Sequence, residues 1–484
     1  MAVNSKDGAS LRPPLVRPPA PVGADRIRRG GGELDSLATV LRLIRSGTAD
    51  TRRELEEVTG LGRAVVADRV ATLGAFGLVD ESETAGSSGG RAPRRIRFRA
   101  DAGHILVAAI GNTSLGVGLV DLGGQLLVEH HERSDIGVGS GAELGSGVET
   151  EYILERLTEL FDLVIADPAG SLPWGIGLAV PRPVELVAGR ANGSRVGKAP
   201  HGEADRGRAG VELVIAPRLG ERFGVQVHVD NDAHLMALSE LRSGRGMGRD
   251  DLLFLKVGTS VSVGFCLGGR VHRGANGYAG DIGHLVVEDG GPRCRCGNFG
   301  CLEAVAGGTA LAREARAAGE TGTSPYLAKL FAEGRELSAV DVGHGAYLAD
   351  PFCVELLSRV GRVIGVSLAA LVSSYDPSLV VVGGGVAQAG EVLMAAMRES
   401  LYRNSRSKAL VDVTVVRSEM GRTGSLMGAG FAVADDLFSQ ERLRTWIGAG
   451  SPVALGMNPD PAARTEAGRV ASALLALRLQ GDEQ

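Results

Sequence analysis

The residues best suited to chemistry lie in one short stretch, GDIGHLVVEDGGPRCRCGNFGCLE, which spans residues 280–303. It contains His284 and three of the five cysteines of the chain, Cys294, Cys296 and Cys301. Thiolate and imidazole are preferred ligands of tetrahedral zinc, and these four residues make a closed Cys3His set. The alternative is a loop with three buried or free thiols, but buried cysteines rarely cluster at ligand spacing. A disulfide is disfavoured, because nothing in the sequence suggests export.

The same stretch resembles the zinc-and-sugar motif of the ROK family, named for repressors, open reading frames and kinases. That motif reads E-x-G-H followed by C-x-C-G-x-x-G-C-x-E, and this chain has G-D-I-G-H followed by C-R-C-G-N-F-G-C-L-E. The resemblance implies a structural zinc ion held by His284 and the three cysteines. It also implies sugar contacts from Asp281, His284 and Glu303. Asp281 departs from the family pattern, which usually has Glu there, so its carboxylate is one methylene shorter.

The composition is that of a soluble globular protein with two or three domains. Of 484 residues, 44% are apolar and 23% are charged. The formal net charge of −5 excludes a generic polyanion binder, so any nucleic-acid site must be a local patch. No apolar run reaches the roughly 18 residues of a membrane span, and the N-terminus lacks an apolar signal core. We therefore predict a cytoplasmic protein with no membrane partner.

The first hundred residues predict a flexible arm and a DNA-binding domain. Residues 1–32 are rich in Pro, Gly and Arg without an apolar period, which predicts a disordered basic arm or a plain flexible tail. Apolar residues at helical spacing then predict three short helices, with a capping box at Thr51 and Glu54 and a turn at Gly60. Two predicted strands, LVDESE and RRIRF, follow. Residues 33–100 are therefore predicted to form a winged helix-turn-helix.

The third helix of such a domain places its N-terminal side chains in the major groove of DNA. Arg63 and Arg69 on this helix are the candidates for contacts with bases or phosphates. Arg91, Arg94 and Arg95 put positive charge on the wing, where phosphate or minor-groove contacts are expected. The alternative is a winged helix used only for protein contacts.

From residue 103 the apolar period changes to two, and ILVAAIG, LGVGLVDL and QLLVEHH predict three successive strands. This pattern is similar to the opening of the two-lobed actin-like (ribonuclease-H-like) ATPase fold of the ROK family. We predict an α/β domain of that kind over residues 103–440. In the family the first turn reads D-x-G-x-T, and its Asp helps to hold Mg²⁺. Here Ala109 replaces that Asp, and a methyl group cannot coordinate a metal.

Another candidate pair, Asn231 and Asp232, follows the predicted strand VQVHVD and matches the N-D-A of the family. In ROK kinases this Asp is the general base that takes the proton from the sugar hydroxyl. The same carboxylate can accept a hydrogen bond from a sugar in a protein that performs no chemistry. We predict that both residues bind sugar and that Asp232 occupies a vestigial general-base position.

Three turns resemble the nucleotide-binding parts of the family. In the second, Ser260 and Ser262 replace the later glycines of the family's G-T-G-x-G, which impairs close backbone approach to phosphate. The third, a run of three glycines, resembles the turn that cups adenosine, although such a run also serves to pack a helix on a sheet. Bound ATP and Mg²⁺ are therefore not expected. The residues at nucleotide-like positions are Gly111, Thr113, Gly258, Thr259, Gly383, Gly384 and Gly385.

Residues 441–484 lie outside the resemblance and are predicted to be a C-terminal extension with one helix. The leading hypothesis is a DNA-binding transcriptional regulator of carbohydrate genes, acting as a repressor, that responds to a sugar or sugar phosphate. The alternative is an ATP-dependent sugar kinase that retains a helix-turn-helix, and Ala109 and Ser260 count against it. The expected partners are operator DNA and the sugar or sugar-phosphate effector. The expected assembly is a homodimer or homotetramer.

Overall fold

The computed structural model describes residues 33–84, 94–133, 147–165, 172–184, 214–404, 413–447 and 451–455. The arm predicted over residues 1–32 and the amphipathic helix predicted over 463–479 lie outside these ranges. So does Arg91, one of the predicted wing residues.

Three helices and a two-stranded wing form the N-terminal part of the described chain. Helix α1 spans Glu33–Arg45, α2 Arg52–Thr59 and α3 Arg63–Ala75; strands β1 (Val79–Thr84) and β2 (Arg94–Phe98) pair antiparallel. The predicted capping box begins α2: the Thr51 hydroxyl accepts the N–H of Glu54, and the Glu54 carboxylate accepts the N–H of Thr51. Gly60 ends the helix with φ 68°. This is the arrangement of a winged helix.

The core of this domain differs from the sequence pattern at one position of α3. The spacing predicts that Val65 points inward, but 37% of this residue is exposed, whereas Val66, Val70 and Leu73 are buried. Successive residues on an α-helix are rotated by about 100°, and on α3 it is Val66 that faces the core. Val65 therefore lies on the outer surface of the predicted recognition helix.

The first lobe is built on a five-stranded sheet in the order β5-β4-β3-β6-β7. Strands β3, β4 and β5 form an antiparallel meander, and β6 and β7 run parallel to β3. Helices α4 and α5 share a hydrophobic core with one face of the sheet. The bounds are β3 His104–Ile110, β4 Ser114–Asp121, β5 Leu126–Arg133, α4 Gly147–Ile165, β6 Gly175–Val180, α5 Ala216–Phe223 and β7 Val227–Asn231.

The second lobe repeats this topology. Its sheet has the order β10-β9-β8-β11-β12, again with an antiparallel meander followed by two parallel strands. The strands are β8 Leu252–Val257, β9 Val261–Leu267, β10 Arg270–His272, β11 Leu379–Gly383 and β12 Thr414–Arg417. The helices are α6 Asp232–Ser243, α7 Leu302–Ala306, α8 Gly308–Thr321, α9 Pro325–Ala332, α10 Ala339–Tyr347, α11 Pro351–Tyr375, α12 Glu391–Asn404, α13 Gly424–Leu437 and α14 Gln440–Trp446. Two sheets of the same order and direction make the predicted actin-like fold.

Helix α11 is long and apolar enough to cross a membrane, judged by length and composition alone. It is the one such helix among the described residues. Half of its most apolar window is buried inside the protein. Residues such as Leu357, Ile364 and Leu368 belong to the core of the second lobe. We therefore read α11 as a core helix.

The two lobes are joined by an exchange of helices. Helix α6 follows β7 of the first sheet but packs on β8 and β9 of the second, whereas α13 follows β12 of the second sheet and packs on β3 and β6 of the first. The two helices cross at Gly428, where a Cβ atom would overlap the carbonyl oxygen of Leu235. The result is a central pair of helices in direct backbone contact between the sheets.

The winged helix packs on this central pair through the C-terminal helix α14. Trp446 is 1% exposed and donates its indole N–H to the carbonyl of Leu437 at 2.9 Å. The ring of Phe438 contacts Phe98 of the wing edge-on, with centroids 5.5 Å apart. Core residues of α1 belong to the same hydrophobic cluster. The sequence places residues beyond 440 in an extension, but α14 lies between the winged helix and the first lobe.

Candidate metal centre and ligand cleft

The four predicted zinc ligands meet in space. One ligand atom from each of His284, Cys294, Cys296 and Cys301 lies within 4.8 Å of all the others. The Cys296 and Cys301 sulfurs are 3.7 Å apart, and the Cys294 sulfur is 3.6 Å from Nδ1 of His284. With Zn–S bonds of about 2.3 Å, tetrahedral geometry requires about 3.8 Å between sulfurs. The set therefore fits a zinc ion.

Glycine backbone shapes the loop that carries these ligands. Gly300 has φ 67°, and a Cβ atom on it would overlap the carbonyl oxygen of Glu288. Two isolated bridges, Val286 to Cys301 and Arg293 to Phe299, hold the loop as an irregular hairpin. Cys301 is thereby fixed at the N-cap of α7.

The three thiols of the metal centre differ in pKa. Burial raises the pKa of Cys294, and burial together with the neighbouring thiols raises the pKa of Cys301 to about 12. The pKa of Cys296 is lowered: burial opposes this, but the backbone N–H of Asn298 and the other two thiols donate to its sulfur. Three sulfurs at this spacing cannot all be thiolates without a cation, and zinc supplies that charge.

Asp232, predicted to line the ligand cleft, is the first residue of α6. Its Oδ2 forms an ion pair with Nζ of Lys256 on β8, and both side chains are nearly buried, with 13% and 11% exposed. Its Oδ1 is buried and has no hydrogen-bond partner among the described residues. The preceding Asn231 caps α6: its Oδ1 accepts the N–H groups of Ala233 at 2.9 Å and His234 at 3.3 Å. Only the amide nitrogen of Asn231 is left for a ligand.

The other predicted sugar contacts lie on the metal loop and on α7. Nε2 of His284 is 3.9 Å from the Asp281 carboxylate, so the ring has its metal-binding nitrogen on one side and Asp281 on the other. Burial, with Glu303 nearby, raises the pKa of Asp281, and His284 opposes the rise. Glu303 is 8% exposed and accepts a 2.8 Å bond from Arg295.

A buried network behind the cleft escaped the sequence analysis. Asp230 accepts a hydrogen bond from Arg273 at 2.7 Å, and Nδ1 of His234 lies 3.2 Å from the same carboxylate. Nε2 of His234 lies 2.8 Å from the carbonyl oxygen of Ala279. Arg273 and Ala279 stand at the two ends of the loop that precedes Asp281. The network therefore fixes this loop against α6.

The nucleotide-like turns are present but altered. The side chain of Asn112, between Gly111 and Thr113, donates to the hydroxyl of Thr259 at 3.0 Å, which ties the first turn of one lobe to that of the other. Gly258 closes its own turn through an N–H bond to the carbonyl of Ser260 at 2.9 Å. The turn between β3 and β4, whose residues are all described, contains no carboxylate that could replace the one missing at Ala109.

The glycine run after β11 has a packing role of its own. A Cβ on Gly383 would lie 2.5 Å from the ring of Phe254, and one on Gly384, with φ 94°, 2.5 Å from the carbonyl oxygen of Val257. Gly385 has open space around it. Gly383 and Gly384 are therefore required by the fold whether or not a nucleotide binds, whereas Gly385 is not.

On the winged helix the predicted DNA-binding arginines differ in availability. Arg63 and Arg94 are exposed. Arg95 is half exposed and lies 3.6 Å from Asp50. The Arg69 side chain is only 12% exposed and donates to Ser36 at 2.9 Å and to Asp68. Arg69 therefore ties α3 to α1, which counts against its predicted contact with DNA.

The comparisons with known proteins agree with this geometry. The xylose repressor of Bacillus subtilis (strain 168) is 23% identical over 396 residues, which cover 82% of this chain and 94% of the repressor. The glucokinase of Halalkalibacterium halodurans is 31% identical over 232 residues, 48% of this chain and 70% of the glucokinase.

The fold is shared with a solved structure described as a ROK family transcriptional regulator, homolog of the E. coli MLC protein. It superposes with a TM-score of 0.68 at 22% identity and covers 88% of this chain and 99% of that one. The model of the ROK family matches residues 167–436, more than half of the chain. The motif at the metal centre, the duplicated sheet and this match lead to one conclusion: the chain belongs to the ROK family.

Proposed function

We propose that this protein is a sugar-responsive, DNA-binding transcriptional repressor of carbohydrate genes. One observation carries the proposal: the winged helix shares a core and an ion-pair network with α6, the helix that begins at Asp232 in the cleft. A cleft for a small ligand and a DNA-binding domain are thus joined by one rigid element. The relative named xylose repressor, similar over 82% of this chain, supports the same function.

The chain retains the residues at the sugar-contact positions of the family better than those at its phosphate-binding positions. Asp232, His284 and Glu303 are retained at the positions that the family resemblance assigns to sugar contacts, and Asp232 has an unsatisfied buried oxygen. On the phosphate side Ala109 offers no metal ligand, and Asn112 bonds Thr259 across the lobes. Phosphoryl transfer needs base, metal and phosphate cradle together, and losses within such a set are strongly non-additive. We therefore propose binding without turnover.

The route from ligand to DNA runs along α6. Its far end carries Arg242, which bonds Asp435 on α13 at 2.8 Å, and the other oxygen of Asp435 pairs with Arg45 on α1. A helix of 12 residues is about 18 Å long, so this link spans that distance without a loop. A ligand that favours one position of α6 would shift the position of α1 and of the winged helix.

We further propose that the protein acts in the cytoplasm as a homodimer or homotetramer. A winged helix reads one half-site, and two-fold assembly gives two half-sites at a fixed spacing. The effector would change that spacing and release the operator. The zinc ion would hold His284 in place rather than take part in chemistry.

Residual sugar kinase activity is the second candidate, because Asp232 is retained and a relative named glucokinase is 31% identical. In that case Asp232 would have to accept a proton while paired with Lys256. That pairing favours the binding role.

The test combines a footprint with a kinase assay on the full chain. We expect protection of a two-fold DNA segment upstream of its own or a neighbouring sugar gene, and release of this segment by one sugar. Replacing Arg63 should relax sequence preference, whereas replacing Arg94 should weaken binding to all sequences and flatten its salt dependence. No footprint on any upstream region would refute the repressor. ATP-dependent turnover near one per second with any hexose would favour the kinase.

A further inference from the structure

We infer that Val65 on the recognition helix α3 reads thymine in the operator through the 5-methyl group of the base. Each half-site then has a T·A pair at the position that this side chain contacts. The inference rests on the proposed function and adds to it the chemistry by which the protein selects its DNA.

The first turn of α3 presents an apolar surface to solvent. Arg63, Ala64 and Val65 are exposed, whereas the next residue, Val66, is buried. Val65 is 37% exposed and does not belong to the hydrophobic core that holds the described winged helix together. The N-terminal residues of a recognition helix are those that meet base edges in the major groove. Val65 is therefore free to contact DNA at this position.

Most polar side chains of α3 are engaged inside the protein. Asp68 pairs with Arg69, and Arg69 also donates to Ser36 on α1 at 2.9 Å. The hydroxyl of Thr72 donates to the carbonyl of Asp68 at 2.9 Å. The negative charge of Asp68 is moreover repelled by the phosphates of DNA. Among the side chains of α3, all of which are described, this leaves Arg63 as the hydrogen-bond donor for a base, and guanine is its usual partner.

Further readout by α3 must therefore come from its apolar surface, and thymine is the base that matches it. In the major groove the base pairs present hydrogen-bond donors and acceptors, and the 5-methyl group of thymine is the apolar group among them. The two γ-methyl groups of Val65 form no hydrogen bonds, so they gain from contact with that group. A β-branched side chain is also stiff at χ1, so little conformational freedom is lost when the groove surrounds it.

The experiment removes the methyl groups from the DNA and from the protein in turn. The full chain is bound to the upstream fragment that it protects, and each thymine is replaced in turn by uracil, which lacks only the 5-methyl group. At one position in each half-site this change should weaken binding of the wild-type protein about fourfold, the value of one buried methyl group. Val65→Ala should bind the thymine fragment at least about fourfold more weakly than wild type does. Its thymine–uracil difference at that position should fall below about 1.5-fold, as a double-mutant cycle requires of a direct contact.

Two further variants keep the outcome decisive. Val58→Ala is the matched control, because Val58 is an exposed valine on α2 rather than on α3, and it should retain the full thymine–uracil difference. Val65→Thr keeps the shape of valine and one of its methyl groups, so it should retain part of the difference. Thermal unfolding checks that each variant is folded.

The possible outcomes separate the inference from the proposed function. If the fragment is bound but uracil weakens wild type and Val65→Ala equally, or weakens neither, the inference is wrong and the repressor stands. If the full chain protects no upstream fragment, the proposed function is wrong and the inference falls with it.

Discussion

At the scale of single residues, pairing decides what each functional group can do. Asp232 and Glu303 are acidic groups of the kind that bind sugar hydroxyls, and each has a basic partner, Lys256 or Arg295. Each pair lowers the cost of burying a carboxylate, which would otherwise shift towards its neutral form. In each pair one carboxylate oxygen is held by a basic side chain.

The metal ligands give the first residue-scale prediction. Cys296→Ser should lose the zinc ion and lower the melting temperature by roughly 6–12 °C, if the site contributes about 3 kcal/mol in a lobe of ordinary domain size. Zinc content by mass spectrometry and thermal unfolding are the measurements. Cys353→Ala removes a buried thiol outside the cluster and should keep the zinc. Full zinc occupancy in Cys296→Ser would exclude this cysteine as a ligand.

The buried network behind the cleft gives the second prediction. Burial alone would raise the pKa of Asp230, but Arg273 and His234 hold it well below its usual value. Asp230→Asn leaves Arg273 without its counter-charge and should cost about 3–5 kcal/mol of unfolding free energy. Asp250→Asn, at an exposed loop position, should cost less than about 0.5 kcal/mol.

The pH dependence of this difference has a defined sign. A carboxylate whose folded pKa is depressed stabilises the protein above its unfolded pKa, about 3.9, and loses this contribution as pH falls through the folded pKa. The gap in stability between wild type and Asp230→Asn should stay constant from about pH 7 to pH 5 and shrink below about pH 4. Denaturant unfolding across this range measures it. A gap that widens in acid would show that Asp230 is not the ionised partner.

At the residue scale the sequence predicts the motifs that depend on local spacing, but not the contacts that depend on tertiary packing. The capping box at Thr51 and the four zinc ligands follow from short-range spacing, which a motif fixes by itself. The pair of Asp232 with Lys256 depends on where β8 lies relative to α6, 24 residues apart. Likewise, Arg69 looks available in the sequence, and only the packing of α3 against α1 occupies its side chain. Contacts set by tertiary packing leave no local signal.

At the scale of elements, the exchange of α6 and α13 is the feature that the sequence pattern does not predict. The strands that the sequence analysis names could be assigned from their apolar pattern, because β propensity and period are local. Which sheet a helix covers depends on long-range packing. Two glycines allow the close packing of α6: Gly428 on α13 faces Leu235, and Gly264 on β9 faces Ala233. Neither contact leaves room for a side chain on the glycine.

That crossing gives the third prediction. Gly428→Ala should force α6 and α13 apart and cost at least about 1–3 kcal/mol of stability, because the added methyl meets backbone rather than a movable side chain. Gly385→Ala is the matched control, since it has ordinary right-handed backbone and open space. Thermal unfolding compares the two. Equal stability of Gly428→Ala and wild type would mean that the helices do not touch as described.

At the scale of the whole molecule, function depends on how the cleft communicates with the winged helix. Asp435 is the shared residue: one oxygen pairs with Arg45 of α1 and the other with Arg242 of α6. Arg45 also lies over the ring of Phe438, 5.3 Å from its centroid, and so is held by packing as well as charge. Any displacement of α6 along its axis must therefore change this three-residue contact or move α1 with it.

The last prediction isolates this link with Arg242→Met. Arg242 lies outside both the cleft and the winged helix, and 38% of its side chain is exposed, so ligand affinity and basal DNA affinity should each change less than about twofold. Coupling between two sites is typically worth 5- to 150-fold in affinity, and the loss of the contact should reduce the ligand-induced drop in DNA affinity to below about threefold. Arg403→Met breaks a surface pair elsewhere and should retain the full response. DNA binding measured with and without the active sugar, for the three proteins, decides the matter. A full response in Arg242→Met would show that the signal leaves the cleft through another element, such as the lobe contact between Asn112 and Thr259.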